Sequence, residues 1–344
     1  MSYKDLVIIN NEKISKKNKS FYCDNIDIQS IPENLNKNFN VTLIVRSSKK
    51  ERTRQIKIEK IKVSKNIFSF LFNIFKTFKK KETVYLLVSI TPYTFFSYIF
   101  LFFFKKKIFV YLRSNGYEEY KAIFGFIGPA LYHFMFKIVT FKSNIITCQK
   151  KLFMNRESNI VFPSELDSRW LKNTIKSQID KPRLLYIGRL KVEKGIFSLL
   201  KIFNEIGDNT NLSIVGRVEK NYLSKNFKEN KKIIFLGHGF ESSKLIDIYD
   251  KNNIFILPSY TEAHPKVIDE SLARARPVII FEEIKHIIQN RQGIFVSKRD
   301  SKSLMKTINF IMQNYENIQV SMKTNVLPTK EEFILQMSNI LKTN

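Results

Sequence analysis

Only two cysteines, Cys23 and Cys148, occur in the 344 residues, and the chain opens Met1-Ser2-Tyr3-Lys4-Asp5 with no basic segment leading into a long apolar run. Few thiols and no export-like start are the marks of a reducing compartment, so a cytoplasmic location is expected. The four histidines, His133, His238, His264 and His286, are scattered, and none has a cysteine or second histidine at finger-like spacing. Structural zinc is not expected. The most apolar stretch, Phe95 to Phe104, falls well short of the ~20 residues that a spanning helix needs. An ordinary balance of 44% hydrophobic and 26% charged residues excludes a wholly disordered or fibrous chain.

Acidic residues are the scarcest charge: 31 Asp and Glu face 58 Lys and Arg, a formal net charge of +27. The excess leans to the first half, +17 over residues 1–165 against +10 over the rest, and that half also holds 21 of the 31 Phe. Basic residues interleaved with Phe suit either nucleic acid or an anionic membrane surface. The arrangement favours membrane, and no nucleic-acid partner is expected. From Asn66 to Lys81, apolar residues recur at three- and four-residue spacing and end in Lys79-Lys80-Lys81, which reads as an amphipathic helix with a cationic end. The Phe95–Phe104 stretch likewise runs into Lys105-Lys106-Lys107. Core-packing helices with solvated lysines are the competing reading. His133, inside another apolar helical pattern, is expected in the core.

At this length two domains are the first expectation. In the second half, short apolar runs alternate with helical patterns. Strands are expected at Leu184–Gly188, Leu212–Gly216, Ile233–Gly237, Ile254–Pro258, Val278–Phe281 and Ile294–Val296, helices at Ile196–Ile206, Ser242–Asp250, Pro265–Ala275 and Lys302–Met312. Strands without a polar face are buried on both sides, and strict alternation implies an α/β doubly wound parallel sheet. The first half repeats the scheme at Leu6–Ile9, Val41–Val45, Val84–Ser89, Ile108–Leu112 and Ile145–Cys148. Polar residues near Pro163 to Lys181, with Pro163 and Pro182 at their ends, mark the boundary. The expected organisation is two Rossmann-like domains facing a cleft, 1–165 and 166–325, with a C-terminal helix in 326–344 packing back on the first.

Three successive strands end in glycine: Gly188, Gly216 and Gly237. A lone glycine there is usually a turn. Repetition at one sheet edge instead suits a ligand beyond the carboxyl ends of the strands. After the first of them, Arg189 and Lys194 flank a strand–helix junction, where a guanidinium fork, a point charge and free helix N–H groups suit a diphosphate. In Pro258-Ser259-Tyr260-Thr261-Glu262-Ala263-His264-Pro265-Lys266-Val267-Ile268-Asp269-Glu270, Pro265 suits the first helical position, with His264 just outside it. Glu262 then precedes the helix, Glu270 lies about 7.5 Å along its axis, and N–H groups around Lys266 and Val267 lie between them. Two acceptor-only side chains flanking donors fit a ligand with hydroxyls at both ends and negative charge in the middle, the layout of a nucleotide sugar.

Gly188-Arg189-Leu190…Glu193-Lys194-Gly195, Leu212–Gly216, Phe235–Gly237, Pro258-Ser259…Glu262, Glu270-Ser271-Leu272-Ala273 and Pro277-Val278-Ile279, in this order and spacing, resemble the donor-binding domain of retaining family 4 glycosyltransferases, the group 1 glycosyl transferases of GT-B fold. The resemblance implies that Arg189 and Lys194 hold the donor diphosphate and serve catalysis with Glu262, which takes the sugar hydroxyls, while Glu270 takes the ribose. It also implies retention without metal or cofactor, in keeping with the lack of an Asp-x-Asp motif. The first half departs from the family: the loop that usually carries paired glycines reads Asn10-Asn11-Glu12-Lys13-Ile14-Ser15-Lys16, and Arg113 and Asn115 stand at the strand end as acceptor-site candidates. The expected partners are a nucleotide sugar, a glycan or lipid-linked acceptor of the kind used in bacterial surface polysaccharides, and an anionic inner membrane face. A GT-B epimerase or phosphorylase, or a silent binding protein, are the alternatives.

Overall fold

The computed structural model describes residues 4–78, 82–148, 158–172, 174–207, 209–217, 230–262 and 264–343. Lys79, Lys80, Lys81 and Ala263 lie outside the described residues. The chain divides into two units, one of residues 1–162 with 331–344 and one of residues 163–330. The division falls at Phe162/Pro163, three residues before the expected boundary.

In the first unit, β1 (Asp5–Lys17), β3 (Asn40–Ser47), β5 (Lys60–Ser64), β6 (Val84–Val88), β7 (Lys107–Leu112), β8 (Asn144–Thr147) and the short β9 (Asn159–Ile160) pair in parallel, in the order β5-β3-β1-β6-β7-β8-β9. Central strands such as Val84–Val88 are buried at every residue, as a sheet covered on both faces requires. On one face lie α1 (Ile26–Leu35) and the helix Lys330–Lys342, whose Phe333, Met337 and Leu341 share a core with Leu6 and Ile31. On the other face lie α2 (Ile67–Phe75), α3 (Pro92–Phe103), α4 (Gly116–Phe124) and α5 (Gly128–Phe141), packed through Phe70, Leu101, Tyr120 and Val139. Both Phe-rich helices start where local chemistry dictates. Asn66 with Ser69, and Thr91 with Thr94, form capping boxes, and Pro92 occupies the first turn of α3.

Two expectations change here. Asn10–Lys16 is not a loop: β1 continues through it, with a register shift between Ile9 and Lys13, and then pairs antiparallel with β2 (Ser20–Cys23), which itself pairs with β4 (Arg54–Ile56). Extended backbone needs no glycine, which accounts for the missing pair. His133 is not core. It sits on the exposed face of α5, 2.9 Å from the Tyr117 hydroxyl, because a helix apolar on every side does not reveal from sequence which side is covered.

The second unit opens with the single-turn α6 (Ser168–Leu171) and holds one six-stranded parallel sheet. Its strands are β10 (Arg183–Ile187), β11 (Asn211–Val215), β12 (Ile233–Gly237), β13 (Ile254–Leu257), β14 (Val278–Phe281) and β15 (Ile294–Ser297), in the order β12-β11-β10-β13-β14-β15. Between and after them lie α7 (Ile196–Asn204), α8 (Ser242–Lys251), α9 (Lys266–Ala273), α10 (Ser301–Gln313) and α11 (Tyr315–Met322). β12 departs from the expected two-sided burial. It is an edge strand, and Ile234, Phe235 and Leu236 are all exposed. The order reverses between β10 and β13, so the carboxyl ends of these two central strands form the switch point where ligands of open α/β sheets bind.

Candidate functional site

The three strand-end glycines meet at this edge. Gly188 N–H donates to the Val215 carbonyl at 3.0 Å and Gly216 N–H to the Gly237 carbonyl at 2.8 Å. A Cβ on Gly216 would fall 2.3 Å from the Gly188 oxygen, so backbone passes here as closely as only glycine allows. The loop leaving β10 turns through a short 3-10 segment, Val192–Lys194, and ends at Gly195 with φ +66°. There a Cβ would lie 1.8 Å from the Pro258 carbonyl oxygen. The β10 loop is thereby pressed onto the loop leaving β13, and Tyr260 N–H donates across to the Glu193 carbonyl at 3.1 Å.

That contact delivers the two groups singled out in the sequence to one another. Lys194 Nζ donates to Glu262 Oε1 at 2.6 Å, and Ser259 Oγ donates to the same oxygen at 2.7 Å. Both partners are largely covered, with side chains 21% and 10% exposed, so the charge-assisted bond is screened little by water. Arg299, which sequence reasoning passed over, locks the loop. Its guanidinium donates to the Pro258 carbonyl at 2.9 Å, pairs with Glu283 at 2.7 Å and stacks between the rings of Tyr260 and Phe281. No sequence signal marks it, since Arg299 is distant along the chain and the strand end before it carries no motif. Arg189 is exposed beside this loop, and among the described residues its guanidinium makes no hydrogen bond or ion pair. Its carbonyl accepts from the Tyr186 hydroxyl at 2.8 Å.

α9 begins at Lys266, one residue later than expected. Pro265 is the N-cap with ψ 107°, an extended value that no helical residue has. Its side chain offers no acceptor, so the first N–H groups of α9 receive no side-chain cap. The side chain of Lys266 turns away to Glu165, at 3.0 Å. His264 Nε2 lies 3.0 Å from Asp269 Oδ2, and Arg291 donates to the other oxygen of that buried carboxylate at 2.6 Å.

Glu270 is buried on the inner side of α9. The Tyr249 hydroxyl lies 3.0 Å from its Oε2 and 3.1 Å from the Val267 carbonyl. Burial pushes the Glu270 carboxyl up to about 7, against the opposing pull of the Tyr249 hydroxyl and the Lys266 charge. Burial, with Glu270 as neighbour, raises the Tyr249 phenol as well. Beneath α9, Asp250 accepts both Nε and Nη2 of Arg274, at 3.0 and 2.7 Å, and Arg276 approaches to 3.4 Å. Arg274 reaches on to the Trp170 and Lys172 carbonyls, tying the entry segment of this unit to its sheet.

The candidates in the first unit have local partners. Arg113 forms an ion pair with Asp27, and Asn115 caps α4 by accepting from Tyr117 N–H at 3.1 Å. Ser89, at the end of β6 and beside Arg113 in one small depression, holds φ +65°, a strained value for a residue with a Cβ.

Residues 170–327 match the family described as Glycosyl transferases group 1. Among curated proteins, the chain is similar to the capsular polysaccharide biosynthesis glycosyltransferase CapM of Staphylococcus aureus, 28% identical over 36% of this chain and 34% of that one. It is also similar to the N,N'-diacetylbacillosaminyl-diphospho-undecaprenol alpha-1,3-N-acetylgalactosaminyltransferase of Campylobacter jejuni, 23% identical over 42% of this chain and 39% of that one. The match spans between 34% and 56% of the length of the curated relatives. Among solved structures, HepE of Anabaena in complex with UDP and glucose superposes with a TM-score of 0.74 at 11% identity, covering 99% of this chain and 100% of that one, a likeness of fold. The stretch that matches the Glycosyl transferases group 1 family thus lies in the second unit, and both sheets follow the GT-B plan.

Proposed function

We propose that the chain moves a sugar from a nucleotide-sugar donor to a glycan or lipid-linked acceptor in surface-polysaccharide assembly, with retained anomeric configuration and without metal or cofactor. The observation that carries this reading is the Lys194–Glu262–Ser259 cluster held at the switch point of the second sheet. An ammonium has three donors, so Lys194 can keep Glu262 and still present two N–H groups to a diphosphate. Arg189 adds a fork, and the two cations offset the negative charge that grows on the departing diphosphate. Held by Lys194 and Ser259, Glu262 can accept from sugar hydroxyls, while Glu270 serves the ribose. The departing phosphate takes the acceptor's proton, and no protein nucleophile is needed. HepE with its UDP and glucose supports the donor class, and the capsular and undecaprenol-linked names of the relatives support the acceptor class.

Thermal denaturation with a panel of nucleotide sugars tests the donor. At a hundred times its dissociation constant a ligand stabilises by about 2.7 kcal/mol, some 5–10 °C for a unit of this size. Arg189→Ala and Lys194→Ala should weaken that shift and depress turnover, and Glu262→Gln should cut turnover more than Glu270→Gln. Intact kinetics in the Arg189 and Lys194 variants would remove the diphosphate role, and a larger loss at Glu270 would reverse the two ends. Product analysis that finds an epimerised or phosphorolysed sugar would replace transfer by the corresponding alternative.

A further inference from the structure

The first unit presents an aromatic surface to the outside. Inward, α2, α3 and α5 share one core through Phe70, Leu101 and Met135. Outward, where a surface helix is ordinarily polar, they carry phenyl rings. Phe68 on α2 is 79% exposed, Phe103 on α3 77%, Phe141 on α5 69%, and Phe126, in the turn between α4 and α5, 89%. Beside them, rings of neighbouring helices meet: Phe75 lies 6.2 Å from Phe104, between α2 and the end of α3, and exposed Phe134 on α5 lies 6.0 Å from buried Phe95 on α3. α2 and α3 contain no ionisable acid or base except the Tyr phenols, and α5 only His133 and Lys137. Acidic side chains in this layer are confined to the first turn of α4, at Glu118 and Glu119.

Apart from those two carboxylates, the charges set against the rings are cationic. Lys76 lies over the Phe72 ring at 4.3 Å, Lys106 over Phe78 at 4.6 Å, and Lys142 over Phe102 and Phe141 at 5.9 and 5.8 Å. An apolar face this extensive marks a contact surface. Its lysines decide between occupants. A second copy would bring a like-charged rim against this one, whereas a bilayer offers acyl chains for the rings and anionic phosphates at the level of the ammonium groups. Among the described residues no helix is long and apolar enough to cross a membrane, so contact lies in the plane of the surface.

We infer that the outer face of α2, α3 and the α4–α5 hairpin docks on a bilayer containing anionic lipid, with Phe68, Phe103 and Phe126 inserted at the boundary between headgroups and acyl chains. Docking needs neither donor nor turnover, so its test stands apart from that of sugar transfer. The protein should sediment with phosphatidylcholine vesicles that contain phosphatidylglycerol and not with pure phosphatidylcholine, and added salt should weaken the binding without abolishing it. Replacing Phe68, Phe103 and Phe126 together by Ser should lower the partition coefficient about 100-fold while the nucleotide-sugar thermal shift persists. The single variant Phe126→Trp, at an exposed position that leaves the fold intact, should show blue-shifted emission quenched by brominated lipid. The native Trp170, 1% exposed in the second unit, supplies an unquenched background. Three results overturn the inference: no binding to anionic vesicles at low salt, binding that the triple Ser variant leaves unchanged, or a Phe126→Trp signal that brominated lipid does not touch. A dimer that the triple variant dissociates, without vesicle binding, would assign the face to a second copy.

Discussion

Glu270 makes the stability of the second unit depend on pH in a direction opposite to that of most carboxylates. Its folded-state carboxyl is raised from 4.5 to about 7 because burial beside Tyr249 disfavours the charge. The folded chain therefore holds a proton that the unfolded chain releases between those values. The stability this contributes is full below pH 4.5 and is lost as pH rises to about 7. One pKa unit corresponds to ~1.4 kcal/mol, so the loss is about 3 kcal/mol. Glu270→Gln keeps the volume and a hydrogen bond to Tyr249 but cannot ionise. The assay is thermal denaturation of wild type and variant side by side from pH 4.5 to 8, which cancels the carboxylates they share. The variant's midpoint should rise relative to wild type by about 6–12 °C across that window, at ~2–4 °C per kcal/mol for a unit of this length. Parallel curves, with both proteins folded, would mean that Glu270 is solvated and that its contact with Tyr249 does not hold in solution.

Two further substitutions probe the frame of the site. Gly195→Ala puts a methyl 1.8 Å from the Pro258 oxygen at a residue with φ +66°. The left-handed strain alone costs about 1–3 kcal/mol, and displacement of the Pro258–Glu262 loop should weaken donor binding. Gly207→Ala, with open space and ordinary φ, should be neutral, and equal midpoints for the two variants would refute the close approach. Asp250→Ala strips Arg274 and Arg276 of their carboxylate inside the unit, with both side chains about 1% exposed. Leaving buried charges uncompensated costs about 3–5 kcal/mol, a midpoint drop of roughly 10 °C, and calorimetry that finds less than ~1 kcal/mol would show that water replaces the pair.

The parallel sheets were legible because a strand buried on both faces must be apolar throughout. Leu184–Ile187, Ile254–Leu257 and Val278–Phe281 announce themselves as unbroken runs, and the glycines ending β10, β11 and β12 mark the edge where backbone crowds. Lys194 and Glu262 were legible as residue types at strand ends. The polar arm Asn10–Lys17 was not, since alternating polar residues read as loop until β2 supplies their hydrogen bonds. Nor were Tyr249, Arg274, Arg276, Asp250 and Arg299, whose partners lie 20 to 100 residues away or on another strand end.

Composition and local pattern alone determined that this chain would build doubly wound sheets, where their carboxyl ends would lie, and that its first half would be basic and rich in Phe. Periodicity could not decide which Phe are core and which are surface, because α2 and α3 are apolar all round, and only packing on the sheet turned Phe70 inward and left Phe68 and Phe103 outside. The same holds for the two carboxylates that sequence spacing treats as equivalent. Tertiary contacts set Glu262 against Lys194 and Ser259 as a held acceptor and sank Glu270 against Tyr249, because desolvation and hydrogen-bond partners are properties of a place in the fold and not of a position in the chain.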